Sequence, residues 1–156
     1  MIEISAIIST YNRAHFLDVL FDSIVKQTIL PERFEVVIVN NNCTGNTEAV
    51  CHKFTAENPS IKVFYCIEKQ QGLSYGRNRG IAESKGKIVT FLDDDAFLAP
   101  NFFETTLNFF EKHNDINAIG GKILLHYMEK KPSWYNPYLA SLLGYFNLGD
   151  KEVIFS

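Results

Sequence analysis

Residues 87–95 read Lys-Ile-Val-Thr-Phe-Leu-Asp-Asp-Asp. A β-rich apolar run, bounded by Gly86, stops in three consecutive carboxylates. Its length and composition predict a strand buried on both faces of a sheet. Three adjacent acids continue such a strand poorly, because their mutual repulsion raises their pKa values unless a cation sits among them. A hard divalent cation answers that need, since Mg²⁺ takes oxygen ligands, commonly one or two carboxylates together with substrate phosphates. A solvated acidic turn is the plain alternative, and the rest of the chain decides between the two.

Three more apolar runs read as strands: Ile2 to Ser9, Phe34 to Val39 and Ile61 to Ile67. Between the first two, Phe16, Leu17, Leu20, Phe21, Ile24 and Val25 fall at helical spacing and predict an amphipathic helix over Ala14 to Gln27. A second helix is expected from about Thr47 to Ala56, capped by Asn46 or Thr44 and ending before Pro59. A third spans Leu73 to Ser84 and carries Arg77 and Arg79. Pro100 is placed as the first residue of a fourth, with Phe102, Phe103, Leu107 and Phe110 on its apolar face. Ala118 to Tyr127 reads as a further strand with Gly120 and Gly121 inside it, and Tyr138 to Leu143 as a short helix. Strands alternating with helices predict an α/β domain on a mainly parallel, Rossmann-like sheet flanked by helices. The 156 residues fit one such domain, 1–156.

In a parallel sheet, ligands bind outside the carboxyl ends of the strands. The polar clusters Thr10 to Arg13, Asn40 to Asn42 and Asp93 to Asp95 all follow strands and should share one edge. No G-x-G-x-x-G or G-x-x-x-x-G-K-[ST] loop follows the first strand, and no G-x-S-x-G is present. That argues against a dinucleotide enzyme, a P-loop NTPase and an α/β-hydrolase. A net charge of −3 gives no electrostatic footprint for nucleic acid. Cys43, Cys51 and Cys66 lack metal-ligand spacing and read as reduced thiols of a cytoplasmic protein. No basic-then-apolar signal peptide opens the chain, and no apolar run approaches the ~20 residues of a membrane span, which leaves peripheral membrane contact open.

What remains is an acid cluster, a basic helix and amide-rich loops. The acids can hold a divalent ion, and the ion can neutralise a diphosphate. Arg77 can add a forked set of donors. Asn40 or Asn41 can read the imide edge of a pyrimidine, and Tyr11 can stack on a base. These parts fit a nucleotide diphosphate bound through a metal.

Four segments carry a family resemblance: Ile7 to Arg13 (IISTYNR), Val37 to Asn42 (VIVNNN), Gly72 to Gly80 (GLSYGRNRG) and Phe91 to Asp95 (FLDDD). In this order and spacing, over roughly the first 125 residues, they resemble the nucleotide-sugar-binding part of a family 2 glycosyltransferase of the GT-A fold. The resemblance implies metal-dependent transfer of a sugar from a nucleotide-diphosphate sugar, UDP favoured, to a glycan or lipid-linked acceptor, with inversion. It implies that Thr10, Tyr11, Asn12 and Arg13 line the donor site with Asn40, Asn41 and Arg77. Asp93 to Asp95 match the family's Asp-x-Asp motif for Mn²⁺ or Mg²⁺. Asp95 is the first choice of metal ligand, with Asp93 or Asp94 towards ribose and metal. Asn40 and Gly45 stand where the family commonly has Asp. The family's general base comes from a segment well beyond the metal motif, and Glu129, Asp150 and Glu152, the only acids after residue 125, do not match its context. The expectation is therefore a donor-binding half, incomplete at the C-terminus, with its general base unassigned. Its exposed sheet edge would favour self-association. A non-catalytic nucleotide-sugar-binding module is the alternative, and a nucleotidyltransferase a more distant one. Trp134 and Tyr135 are read as aromatics covering the sheet edge, and His126 as structural.

Overall fold

The computed structural model describes residues 1–127 and 129–153. It divides into two compact units, Met1–His113 and Asn114–Ser156. The first unit alternates strand and helix: β1 (Ile4–Thr10), α1 (Ala14–Val25), β2 (Phe34–Asn40), α2 (Thr47–Glu57), β3 (Lys62–Ile67), α3 (Leu73–Glu83), β4 (Ile88–Leu92) and α4 (Phe102–Lys112). All pairings are parallel and the order across the sheet is β3-β2-β1-β4. The chain steps outward from β1 to β3 and then returns to β4 on the far side. That reversal makes a switch point between β1 and β4, where parallel sheets form a crevice.

The two faces of the sheet are packed differently. On one, Ile4, Ala6 and Ile8 of β1 and Phe34, Val36 and Ile38 of β2 meet Leu17, Leu20, Phe21 and Ile24 of α1, Phe54 of α2 and Phe103 and Leu107 of α4. Phe21 stacks on Phe54 with ring centres 4.1 Å apart. On the other face Ile7, Val37, Val39 and Cys66 form a smaller cluster. There α3 turns its glycines to β1: a Cβ on Gly80 would fall 2.3 Å from Ile7 Cγ2, and one on Gly76 would fall 2.0 Å from Ser9 Oγ. No larger residue lets the helix lie that close.

Several expectations are corrected. β4 is not buried on both faces: among the described residues it pairs with β1 alone, at the sheet edge, and leaves Phe91 42% exposed. Pro100 precedes α4 instead of opening it. Asn101 takes the cap position, and the Pro100 carbonyl accepts the Thr28 N–H at 2.9 Å. Gln27 then finishes the helix start, accepting the Phe103 N–H at 3.0 Å while donating to the Ala99 carbonyl at 2.8 Å. Asn46 holds the cap position of α2 but makes no capping side-chain bond. Residues 118–127 form no strand. Among the described residues only Ile123 is bridged, antiparallel to Phe146, and a strand without a partner along its length has no ladder to hold it. Residues 138–143 are two 3₁₀ turns, Pro137–Leu139 and Ser141–Leu143, not a helix. In this second unit Tyr135 packs edge-on against Tyr127 and carries the Lys131 ammonium 3.6 Å from its ring centre. All three cysteines are free. Among the described residues no helix is long and apolar enough to cross a membrane.

Candidate active site

The register brings the three polar clusters together. Thr10 pairs with Asn40, and Ile8 with Leu92. Two residues further along, Asp94 stands level with Thr10, and the Thr10 hydroxyl donates to Asp94 Oδ2 at 2.8 Å. Asp94 is 6% exposed, and burial raises its pKa against the opposing pull of the Thr10 bond and the Arg13 charge. It is thus a joint between β1 and β4. Its neighbours point outward: Asp93 and Asp95 are largely exposed.

Arg13 bridges the acids. Its Nε lies 3.3 Å from Asp94 Oδ1, its Nη2 pairs with Asp95 Oδ2, and its guanidinium sits 4.8 Å from the centre of the Phe16 ring. Asn12 sets up that reach. Its φ of 54° is left-handed, a conformation Asn tolerates better than most residues. Its side-chain oxygen accepts the Thr44 N–H at 2.8 Å, and its own N–H donates to Cys43 Sγ at 3.3 Å. The loops after β1 and β2 are laced together by these bonds.

Arg77 comes from α3 on the other side. Its Nη2 lies 3.2 Å from Asp93 Oδ1, and its guanidinium stands over the Phe91 ring at 5.2 Å. Arg79, two residues on, faces away and pairs with Glu83 at 2.7 Å, so only the first arginine belongs to the site.

Asn40 and Asn41 are brought to the same edge, but their amides are largely spent inside the fold. Asn40 Oδ1 accepts the Cys43 N–H at 2.7 Å, and its Nδ2 donates to the Tyr65 hydroxyl at 2.7 Å. Asn41 donates to the carbonyls of Gln70 at 2.8 Å and Glu68 at 3.3 Å, and accepts the Gly72 N–H at 2.8 Å. It holds the loop that launches α3, where Gly72 has a φ of 144° that side-chain-bearing residues avoid. Thr10 is buried as well, whereas Tyr11 is 42% exposed and free to present its ring. Sequence reasoning missed Phe16 and Phe91, which carry the two guanidinium groups, and Tyr65. An aromatic three residues after Arg13 was a usable signal for the first; nothing local marked the others.

Among the described residues no group of three or more His, Cys, Asp or Glu side chains converges as a metal site. The reason is visible: the three adjacent carboxylates diverge, to Arg77, to Thr10 and to Arg13. Asp93 and Asp95 nevertheless have the right chemistry for a hard divalent ion. They offer charged oxygens at an open edge, and their present partners are solvent-exposed arginine ends that can move aside.

A mainly parallel four-stranded sheet with flanking helices, its strand order reversing between β1 and β4, is an α/β domain of the GT-A type. The chain belongs to glycosyl transferase family 2, whose family model matches residues 5–154. It is 30% identical over 118 residues to the minor teichoic acid biosynthesis protein GgaB of Bacillus subtilis (strain 168), covering 75% of this chain and 13% of that protein. Its fold matches S. aureus TarS 1–349 in complex with UDP, with TM-score 0.67 and 22% identity, over 83% of this chain and 40% of that one. It also matches the mannosyltransferase PcManGT from Pyrobaculum calidifontis in complex with GDP-Man and Mn²⁺, with TM-score 0.66 and 23% identity, over 69% and 32% of the two chains. The chain thus spans less than half the length of each of these proteins.

Proposed function

We propose that the Met1–His113 unit is the donor half of a metal-dependent, inverting glycosyltransferase that takes a nucleotide-diphosphate sugar, UDP favoured. One observation carries this: in a chain of glycosyl transferase family 2, Asp93, Asp94 and Asp95 meet Arg13 and Arg77 at the switch point of the sheet. Asp95 and Asp93 would hold Mn²⁺ or Mg²⁺, which when bound supplies positive charge against the departing diphosphate. Support for a metal comes from the acid chemistry and from the Mn²⁺ complex of PcManGT.

The chain's own residues divide the rest of the work. Arg77 turns its donor fork from Asp93 to a phosphate oxygen, steadied by the Phe91 ring. Tyr11 offers a face to the base. Asn40 keeps one N–H and one oxygen lone pair beyond its internal bonds, enough to accept from a pyrimidine N3–H. Asn41 contributes through the loop it holds, and Asp94 through the β1–β4 joint. Charge developing on the leaving diphosphate would be met by the arginine forks once they turn from their carboxylate partners. The acceptor is a glycan or lipid-linked saccharide whose hydroxyl loses its proton to a general base as it attacks. The relative named for teichoic acid biosynthesis is in keeping with an acceptor of this kind.

Incubation with a panel of UDP-sugars tests the proposal. Release of UDP with free or transferred sugar, abolished by Asp95→Ala, is expected. Tight UDP binding with no release from any donor would instead favour a non-catalytic nucleotide-sugar-binding module, a reading consistent with three carboxylates that are all engaged within the protein.

A further inference from the structure

We propose that Arg13 is a built-in occupant of the metal position: its guanidinium satisfies Asp95 when no cation is bound, and transfers to the diphosphate when a cation takes Asp95. The proposal rests on the metal reading and makes Arg13 a diphosphate-binding residue whose engagement is coupled to the metal.

Three features support the exchange. First, the two carboxylates that Arg13 bridges are unequal. Asp94 is buried and tied to Thr10 at 2.8 Å, whereas the Asp95 side chain is 46% exposed. Only the Asp95 end can be given up cheaply. Second, the guanidinium has anchors that survive the exchange, the Phe16 ring at 4.8 Å and Asp94 Oδ1 at 3.3 Å from Nε. Nη2 alone has to change partner. Third, the backbone beneath it is fixed by the Asn12 turn and its bond to the Thr44 N–H, so the side chain pivots from a set point at the mouth of the crevice. A guanidinium freed from one carboxylate presents the same donor fork to a phosphate oxygen.

Two consequences follow. Metal alone must displace Arg13 and bear its repulsion, so it binds weakly. Metal with a nucleotide diphosphate binds with positive coupling, because Arg13 then gains a new acceptor, and the coupling is reciprocal. The test is calorimetric titration of Mn²⁺ into the full chain, with and without UDP, for wild type, Arg13→Gln, Arg13→Lys and Asp95→Ala. Arg13→Gln is expected to bind Mn²⁺ alone roughly two- to fivefold more tightly, the scale of an exposed ion pair removed from competition. UDP should then enhance Mn²⁺ affinity less than it does in wild type. Arg13→Lys, with a point charge in place of the fork, should fall between them. A bystander charge at Arg13 would raise metal affinity on removal but leave the enhancement by UDP unchanged, so the loss of that coupling is the discriminating readout. Arg13→Gln binding Mn²⁺ no more tightly than wild type, while Asp95→Ala loses binding, would overturn this inference and leave the metal reading standing. Mn²⁺ binding untouched by Asp95→Ala, or no Mn²⁺ binding by wild type and Arg13→Gln with or without UDP, would overturn both.

Discussion

Gly80→Ala tests how α3 is seated and, through it, how Arg77 reaches the acids. The added methyl would stand 2.3 Å from Ile7 Cγ2, 3.2 Å from Cδ1 and 3.3 Å from Cβ. Carbon atoms sit about 3.5–4.0 Å apart at contact, so more than ~1 Å must be opened. Ile7 cannot yield it by rotating. It is β-branched, lies on β1 in the middle of the sheet and is fully buried. The helix must lift instead. Overpacking of this kind costs about 1–3 kcal/mol, and alanine returns up to ~1 kcal/mol in helix propensity. A net loss of roughly 1–2 kcal/mol is expected, or a melting point lower by about 3–8 °C for a chain of this size. Urea unfolding followed by far-ultraviolet circular dichroism measures it. Asn78→Ala, on the exposed side of the same helix, is the control and should be neutral or slightly stabilising. UDP affinity should fall in Gly80→Ala, because a lifted α3 carries Arg77 away from Asp93. A Gly80→Ala protein as stable as wild type would refute the close seating of α3 on β1.

Three further outcomes are expected. Asn41→Asp turns a carboxylate towards the carbonyls of Glu68 and Gln70 and should cost about 2–3 kcal/mol in urea unfolding, with a loss below ~0.5 kcal/mol counting against the loop-holding role. Glu35, 2% exposed, accepts from the Ser5 hydroxyl at 2.8 Å and the Lys85 N–H at 2.5 Å through one oxygen. Glu35→Ala should therefore cost about 2–4 kcal/mol by orphaning both donors, while Glu35→Gln, which keeps that oxygen, should cost well under half as much. Glu3 is held below its ordinary pKa of 4.5 by two N–H groups of Arg33 at 2.6 and 3.1 Å. Its contribution is present above about pH 4.5 and is lost as pH falls through the lower folded value, so the stability gap between wild type and Glu3→Gln should close on the acid side. A gap that stays constant down to pH 3 would refute it.

Much of this was legible in the chain because the periodicities are strong. The runs at 4–10, 34–40 and 62–67 are β-rich and each finds parallel partners, and the spacing of Leu17, Leu20, Phe21 and Ile24 matches a helix with one buried side. The misreadings share a physical origin. Whether β4 is central or an edge depends on which strands flank it, and that is set by topology, not by the residues of Ile88–Leu92. Residues 118–127 have strand-like composition but, among the described residues, a single β-bridge at Ile123, so propensity had no ladder to act on. Within the candidate site, Arg13 and the acids stood out as charged groups just past strand ends, and Arg77 stood out within the Gly72 to Gly80 segment of α3 that carries the family resemblance. The inward turn of Thr10, Asn40 and Asn41 was not. A short polar side chain at a strand end can face a ligand or a neighbouring backbone, and only the neighbours' positions decide.

The most direct test of the central claim is calorimetric titration of the chain with UDP, with and without Mn²⁺, using wild type and Asp95→Ala. The expected result is UDP binding that depends on Mn²⁺ and disappears in Asp95→Ala. Absence of binding to UDP, and then to GDP and dTDP, with Mn²⁺ present would contradict it. The acids at the end of β4 would then be a solvated turn, and the family relationship would describe the fold without a working donor site.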